Sequence, residues 1–542
     1  MLRVTLVTVN VDQLLEALSD PHCYPGAPAT VEIIQTHLSI VCLVGDRVFK
    51  LKKSLTLPFV DFAPLETRRW ACREEVHLNR RLCTDVYLGT SALRLNDGGL
   101  KFAELGDDEG SGDVDVAVVM RRLPQDRMLD ELVAAGTVTA EEVCRLARTV
   151  EAFHRTADSS SEVRELGAPT GLLRFANANF EELKDVPDHG LPRELLDALQ
   201  SASGRAFDQV LPELQKRAES GRVVDGHGDL HARNVCMTDP VTIYDCIEFE
   251  PAFRCGDVAT EIAFLVMDLR YRGALELANT FADAYASSSG DERLLALLPS
   301  LCSYRAMVRG KVAALTAAET ELPKGSRDAA RRSALRHLFL ASAFTIESQG
   351  PWWLLVCGPP ASGKSSLSRE LHDAAQWPHL ATDRVRKQLA GTDPTEHAAP
   401  EAYSAAFSER TYGELLRLAA AATAGGDLGV LLDGNFPTPG HRERAAKAAH
   451  SAGARLAILH VGLDAETAAQ RAHHRQLDAT NVSDADPLIT RALHAQYQAP
   501  TSDEAGHLLR LDGTADIESL CVDVLVKLLA AHPAGHPTAP QE

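Results

Sequence analysis

At Trp352 the chain becomes wholly apolar for six residues, WWLLVC, and then runs into GPPASGKSS. The apolar run reads as a strand buried on both faces. Gly358, Gly363, Lys364 and Ser365 follow at the spacing G-x-x-x-x-G-K-[ST], which sets a glycine-rich turn between a strand and a helix. The loop of Gly358, Pro359, Pro360, Ala361, Ser362, Gly363, Lys364, Ser365 and Ser366 is therefore expected to cradle a nucleotide polyphosphate. Backbone N–H groups and the start of the following helix favour the negative charge. Lys364 is expected to reach the β- and γ-phosphates, and Ser365 to offer its hydroxyl to Mg²⁺.

The segments after this loop alternate. HLAT, GVLLDGN, LAILHV and HLLRL read as strands separated by Ala-rich helices. That alternation predicts right-handed crossovers and a parallel α/β sheet covered on both faces. The texture changes near 347–351, which places a domain over 350–531. The Pro/Ala-rich end, 532–542, is expected to be a disordered tail. Asp383 falls just past a strand end beside the phosphate loop, where open α/β sheets bind ligands, and Asp433 ends another strand. Asp383 also suits the N-cap of a helix beginning RVRKQL.

With 542 residues the chain exceeds one hydrophobic core, and its 45% hydrophobic and 24% charged content is that of a soluble globular protein. It has no apolar run long enough to span a membrane and no secretion signal at its start. Eleven cysteines are scattered without a C-x-x-C pair, which points to reduced thiols and a cytoplasmic location. A net charge of −20 disfavours nucleic acid as a partner. The oligomeric state is not legible.

Before the boundary, residues 1–346 read as strands first and helices afterwards. VEIIQ, SIVCLV and RVFKLKK are β-rich, and Gly45-Asp46 suits a tight hairpin turn. PLETRRWACREEVHLNRRL has helical spacing. Among the later helices, HGDLHARNV and IYDCIEFEP interrupt as polar loops beside short strands. Phosphoryl transfer needs a carboxylate near the acceptor hydroxyl and hard-oxygen ligands for Mg²⁺ on the phosphates. Asp229 suits the base, Asn234 and Asp245 suit the metal, and His227 suits a structural hydrogen bonder.

These motifs, with QTHLSIVCLVGDRVFKLKK, EEVHLNRRL, DCIEFEPAFRCGDVATEIAFLVMDL and YRAMVRGKV, resemble the aminoglycoside phosphotransferase-like branch of the protein-kinase-like fold. Together with GPPASGKSS they resemble a bacterial group in which such a domain is fused to a P-loop ATPase/kinase domain of AAA, gluconate-kinase or zeta-toxin type. The resemblance implies a small β-rich lobe and a large helical lobe, then an α/β domain. It implies Mg²⁺ and ATP at both sites and a small-molecule hydroxyl as acceptor. It also implies a phosphate-contacting lysine paired with a helix glutamate. Lys50 and Lys52 both qualify, since residues two apart share a strand face, with Glu75 or Glu74 as partner. The strand ending at Met120 resembles the hinge that receives adenine. The turn QTHLS lacks the glycines of a kinase flap, which leaves Thr36 or Ser39 to meet phosphate.

In the second domain the resemblance makes Asp383 the activator of the acceptor hydroxyl and Asp433 a Walker B-like acid, with binding of substrate by Asn435 and Asp433 as the alternative. Arg384 and Arg386 become holders of an anionic acceptor, and Arg471 and Arg475 become lid arginines that offset developing charge. Two other functions stay open at this stage: an ATP-sensing regulator in which one site gates the other, and a P-loop kinase acting on a nucleic-acid 5′-hydroxyl.

Overall fold

Strands and helices exchange places where the hydrophobic pattern marks them. A computed structural model describes residues 11–57, 60–96, 99–110, 112–187, 189–393, 396, 399–476, 487–504 and 506–531; the expected tail at 532–542 lies outside them. By internal packing the chain divides into two compact units, Met1–Leu172 with Pro212–Leu295, and Leu173–Leu211 with Ala296–Glu542.

The first unit carries a six-stranded antiparallel sheet. Its strands are β1 (Glu32–Gln35), β2 (Ser39–Val44), β3 (Arg47–Lys52), β4 (Tyr87–Asn96), β5 (Gly99–Phe102) and β6 (Asp113–Arg121), in the order β1-β2-β3-β6-β4-β5. Val44 pairs with Arg47 across Gly45 and Asp46, so the β2–β3 turn has the expected two residues. Gly45 adopts φ 59°, the left-handed conformation that glycine enters most readily. Alternation along β3 sorts its side chains. Phe49 and Leu51 join Tyr24, Cys42 and Phe102 in an aromatic-rich core, with the Phe49 and Phe102 ring centroids 4.7 Å apart. Val48 faces the other way, into a cluster with Cys72 and Val76 of helix α1 (Leu65–Asn79). Lys50 and Lys52 share the face of Val48. A strand that turns one buried and one half-buried lysine inward needs carboxylates opposite, and α1 carries one there.

The rest of this unit is mostly helical. Short ladders pair Val223–Asp225 with Cys255–Asp257, and Val235–Cys236 with Thr242–Ile243; they bracket the HGDLHARN segment. Helix α2 (Val258–Tyr271) is almost entirely buried. This unit is the expected kinase-like arrangement of a β-rich sheet and a larger helical part.

The second unit holds a five-stranded, all-parallel sheet. Strands β7 (Trp352–Cys357), β8 (His379–Ala381), β9 (Gly429–Asp433), β10 (Arg455–Gly462) and β11 (His507–Asp512) run in the order β8-β9-β7-β10-β11. Every residue of β7 is buried, as both faces of a covered parallel sheet require. Helix α3 (Lys324–Glu347) belongs to this packing unit. At its end, Glu347 Oε1 accepts the indole N–H of Trp377 at 2.6 Å. Trp377 lies tight against Gly429, where a Cβ would come within 2.3 Å of the indole ring. The helix-to-strand change falls at 347–352, and the unit's packing reaches back to Ala296.

Candidate active sites

In the first unit, both β3 lysines meet α1 at one residue. Lys50 Nζ lies 2.9 Å from Glu75 Oε1, and Lys52 Nζ lies 2.5 Å from Glu75 Oε2. Lys50 also bonds Asp245, and Lys52 bonds Glu248. Glu74 points elsewhere, with an oxygen 3.9 Å from Arg254. Burial acts against Glu75's charge, but the two lysines overcome it and hold the carboxyl down at about 2. Asp245 sits at φ 66°, left-handed for a residue with a side chain, and its N–H donates to the Tyr87 hydroxyl at 3.1 Å.

The HGDLHARN segment is built around Asp229. Asn234 Nδ2 donates to both the backbone oxygen and Oδ2 of Asp229, each at 3.0 Å, and His231 Nε2 lies 3.3 Å from the same Oδ2. Donation through Nδ2 leaves the amide oxygen of Asn234 as the atom suited to a cation. His227 is fully buried, with Nε2 3.0 Å from the Tyr244 carbonyl and Nδ1 3.3 Å from the Asp229 N–H. Those partners require a neutral ring with its proton on Nε2. Burial lowers its pKa to match. The structural role expected of His227 follows from this geometry.

Two acids of α2 hang this loop, and sequence reasoning assigned neither. Glu261 Oε2 accepts the N–H groups of His227 at 2.7 Å and Gly228 at 3.1 Å, while Oε1 meets His154 at 3.0 Å. Asp268 Oδ2 accepts the N–H of Ala232 at 2.9 Å and Arg272 Nε at 3.0 Å. Burial opposes the Glu261 charge, but His154 and these N–H groups bring its pKa to about 2. A run such as VATEIAFLVMDL reads as core, which hides two working acids.

Met120 lies buried near the end of the interior strand β6, paired with Val48 on one side and Tyr87 on the other. In the turn between β1 and β2, Thr36 Oγ1 accepts the Ser39 N–H at 3.0 Å and donates to the Ser39 carbonyl at 3.2 Å. The Thr36 hydroxyl and the Ser39 amide, among the groups of Thr36 or Ser39 expected to meet phosphate, thus close their own turn.

In the second unit, the phosphate loop leaves β7 and enters helix α4 (Lys364–Ala375) as the spacing predicts. Positive φ angles of 149° at Gly358, 63° at Ala361 and 104° at Gly363 intersperse the loop, the kind of backbone that turns amides toward an anion. At Gly358 a Cβ would lie 2.3 Å from the Val461 carbonyl, so glycine is required there. Lys364 Nζ donates to the Pro359 carbonyl at 2.7 Å, curled over the loop it serves. Ser365 and Ser366 are exposed.

Asp433 ends β9, paired in register with Val356 of β7 and Ala381 of β8. Its Oδ2 lies 3.1 Å from His379 Nε2, a partner the sequence did not mark. Asp383 is exposed in the first turn of helix α5 (Thr382–Ala390); Ala381, not Asp383, is the N-cap. Arg384 is exposed, whereas Arg386 is buried and donates to the Ala402 carbonyl at 3.0 Å, its guanidinium over the Tyr403 ring. Arg386 thereby serves the packing of its own helix. Arg471 Nη1 donates to the Gly513 carbonyl at 2.9 Å, and a Cβ on Gly513 would lie 2.7 Å from the Ser362 carbonyl, so Arg471 is tied to the phosphate loop's neighbour. The side chain of Arg475 lies outside the described residues.

A family model described as "Phosphotransferase enzyme family" matches residues 72–298, and one described as "AAA domain" matches 354–500. Uncharacterized proteins of Mycobacterium tuberculosis (strain ATCC 25618 / H37Rv) and Mycobacterium bovis (strain ATCC BAA-935 / AF2122/97) are each 32% identical to this chain over 435 residues, covering 78% of it and 82% of the relative. The chain belongs to their family. This member joins a kinase-like phosphotransferase domain to a P-loop domain, both of nucleotide-using type. Among solved structures it is similar to a Plasmodium vivax ethanolamine kinase (11% identity, 57% of this chain and 82% of that one, TM-score 0.33). A gluconokinase from Sinorhizobium meliloti 1021 is also similar (16% identity, 33% of this chain and 93% of that one, TM-score 0.25). Among the described residues no helix is long and apolar enough to cross a membrane.

Proposed function

We propose that the chain is a bifunctional ATP-dependent phosphotransferase whose two domains, about 1–346 and 350–531, each transfer the γ-phosphate of ATP to a hydroxyl of a small molecule. The observation that carries this reading is convergence at the first site. Lys50, Glu75, the Asp229–Asn234 pair and Asp245 come from four separate stretches of sequence; Lys50 bonds both Glu75 and Asp245, and the Tyr244 N–H, next to Asp245, donates to the Asn234 carbonyl at 3.0 Å.

In this reading Lys50 holds phosphate oxygens and Glu75 fixes its ammonium. Asp229 accepts the acceptor's hydroxyl proton, with Asn234 and His231 orienting the carboxylate. The oxygen donors of Asn234 and Asp245 fit a hard cation, and Mg²⁺ bound there would neutralise charge on the phosphates. Met120 lines the end of the adenine pocket. At the second site Lys364 and the loop amides hold phosphate, and Ser365 and Asp433 supply oxygens for Mg²⁺. Asp383, solvent-facing in the first turn of α5, receives the acceptor's proton, and Arg471 offsets charge on the transferred group.

The test is transfer of labelled phosphate from ATP into a fractionated metabolite extract, by wild type, Asp229→Asn and Asp383→Asn. Two products are expected, one lost in each variant. An extract labelled equally by all three proteins would contradict the assignment, and labelled oligonucleotide ends would favour a nucleic-acid acceptor.

A further inference from the structure

The two lysines that share Glu75 do not sit in equivalent surroundings. The Lys50 side chain keeps 13% exposure and also bonds Asp245, itself 40% exposed, so the solvent side of the site reaches Lys50. Lys52 is 3% exposed, and its partners Glu75 and Glu248 are 0% and 5% exposed. Its ammonium is enclosed between two buried carboxylates.

Glu248 belongs to the segment that presents Asp245, and α1 grips that segment at a second point. Asn79, one helical turn after Glu75, accepts the Cys246 N–H on Oδ1 at 2.9 Å and donates from Nδ2 to the Glu75 carbonyl at 2.8 Å. Helix α1, strand β3 and residues 245–248 are thus fastened together, through Asn79 and through the Glu75–Lys52–Glu248 chain.

We propose that Lys52 and Glu248 are positioning residues that touch neither nucleotide nor acceptor: a buried ion pair that braces Glu75 behind Lys50 and fixes the segment carrying Asp245 against α1. The proposal rests on the reading of the first site as a nucleotide site. Its physics is that of a closed charge set. Removing Lys52 leaves two buried carboxylates near one lysine, and removing Glu248 leaves Lys52 competing with Lys50 for Glu75; either change leaves a buried charge short of a partner. Removing both takes away one charge of each sign and returns Glu75 to Lys50. A phosphate ligand behaves otherwise, because its loss is not mended by deleting a carboxylate.

The test uses the full chain carrying Lys364→Ala, which removes the second nucleotide site from the titration. Lys52→Met, Glu248→Gln and the double variant are titrated with a fluorescent ATP analogue and Mg²⁺, with thermal unfolding followed in parallel. Each single variant is expected to weaken binding about tenfold or more, and the double to recover to within about threefold of the parent, as a coupled pair requires. A double variant as weak as Lys52→Met, beside a silent Glu248→Gln, would make Lys52 a phosphate ligand and overturn the proposal. If Lys52→Met does not fold, unchanged affinity in Glu248→Gln alone overturns it. If the parent binds no nucleotide, the reading of the first site fails. The unfolding data then decide the brace: non-additive midpoints support it, and additive ones overturn it.

Discussion

Asp229 is held from two sides, by Asn234 and by His231, so its carboxylate can be made neutral without disturbing the residues assigned to phosphate. Asp229→Asn is expected to slow transfer at the first site by roughly 10²–10⁴-fold, the usual worth of a positioned base, while nucleotide affinity stays close to wild type. Turnover and analogue binding measured on the same preparation check this; a parallel loss of binding would move Asp229 to the nucleotide. His227 and Glu261 give the loop a pH dependence of definite sign. Burial lowers the His227 pKa below 6.5, so its contribution to stability is whole above that pH and is lost as pH falls further. Glu261, brought down to about 2 from 4.5, contributes above 4.5 and loses that contribution as pH falls towards 2. Both effects weaken the first unit in acid. Its thermal midpoint is expected to drop as pH falls below about 6.5, and His227→Gln, which cannot titrate there, to flatten that slope. An unchanged slope in the variant would show that another group is responsible.

At the scale of elements, the loop carrying Asp229 depends on α2 as its scaffold. Glu261→Ala strips the N–H groups of His227 and Gly228 and the ring of His154 of their shared acceptor. A loss of about 3 kcal/mol or more from the first unit is expected, the usual cost of breaking a buried charged network, measured by denaturant unfolding. A change below about 1 kcal/mol would mean that the loop has other support. This scaffold was not legible in the sequence, whereas the loop itself was. Asp229 and Asn234 declare themselves by short spacing within one polar stretch; Glu261 lies 34 positions after His227 inside an apolar run, and only the folded chain brings them together. The same distinction separates Lys50 from Lys52. Alternation places both on one face, but only packing shows that one reaches Asp245 and the other Glu248. Arg386, expected with Arg384 to hold an anionic acceptor, is engaged instead by a buried contact with the Ala402 carbonyl.

At the scale of the whole chain, the two motif-bearing halves were legible because each depends on local pattern: alternation and a Gly-Asp turn in β2–β3, and a six-residue buried strand before the phosphate loop. The packing limits of the units were not, since helices 173–211 and 296–347 carry no signal for the sheet they accompany. Within the second unit, Arg205 Nη2 donates to the Leu529 carbonyl at 2.8 Å, and Glu347 holds Trp377. A fragment of residues 350–531 loses both partners. It is expected to melt below a fragment of 296–531, which keeps Glu347; equal midpoints would show that the helices add nothing to the P-loop sheet. The central claim is that one chain holds two separate ATP sites. Equilibrium binding of an ATP analogue with Mg²⁺ to the full chain tests it most directly, using wild type, Lys50→Ala, Lys364→Ala and the double variant. The account predicts two nucleotides bound in wild type, one in each single variant with its affinity within a few-fold of wild type, and none in the double. A single nucleotide in wild type, or loss of both through either single substitution, would contradict it.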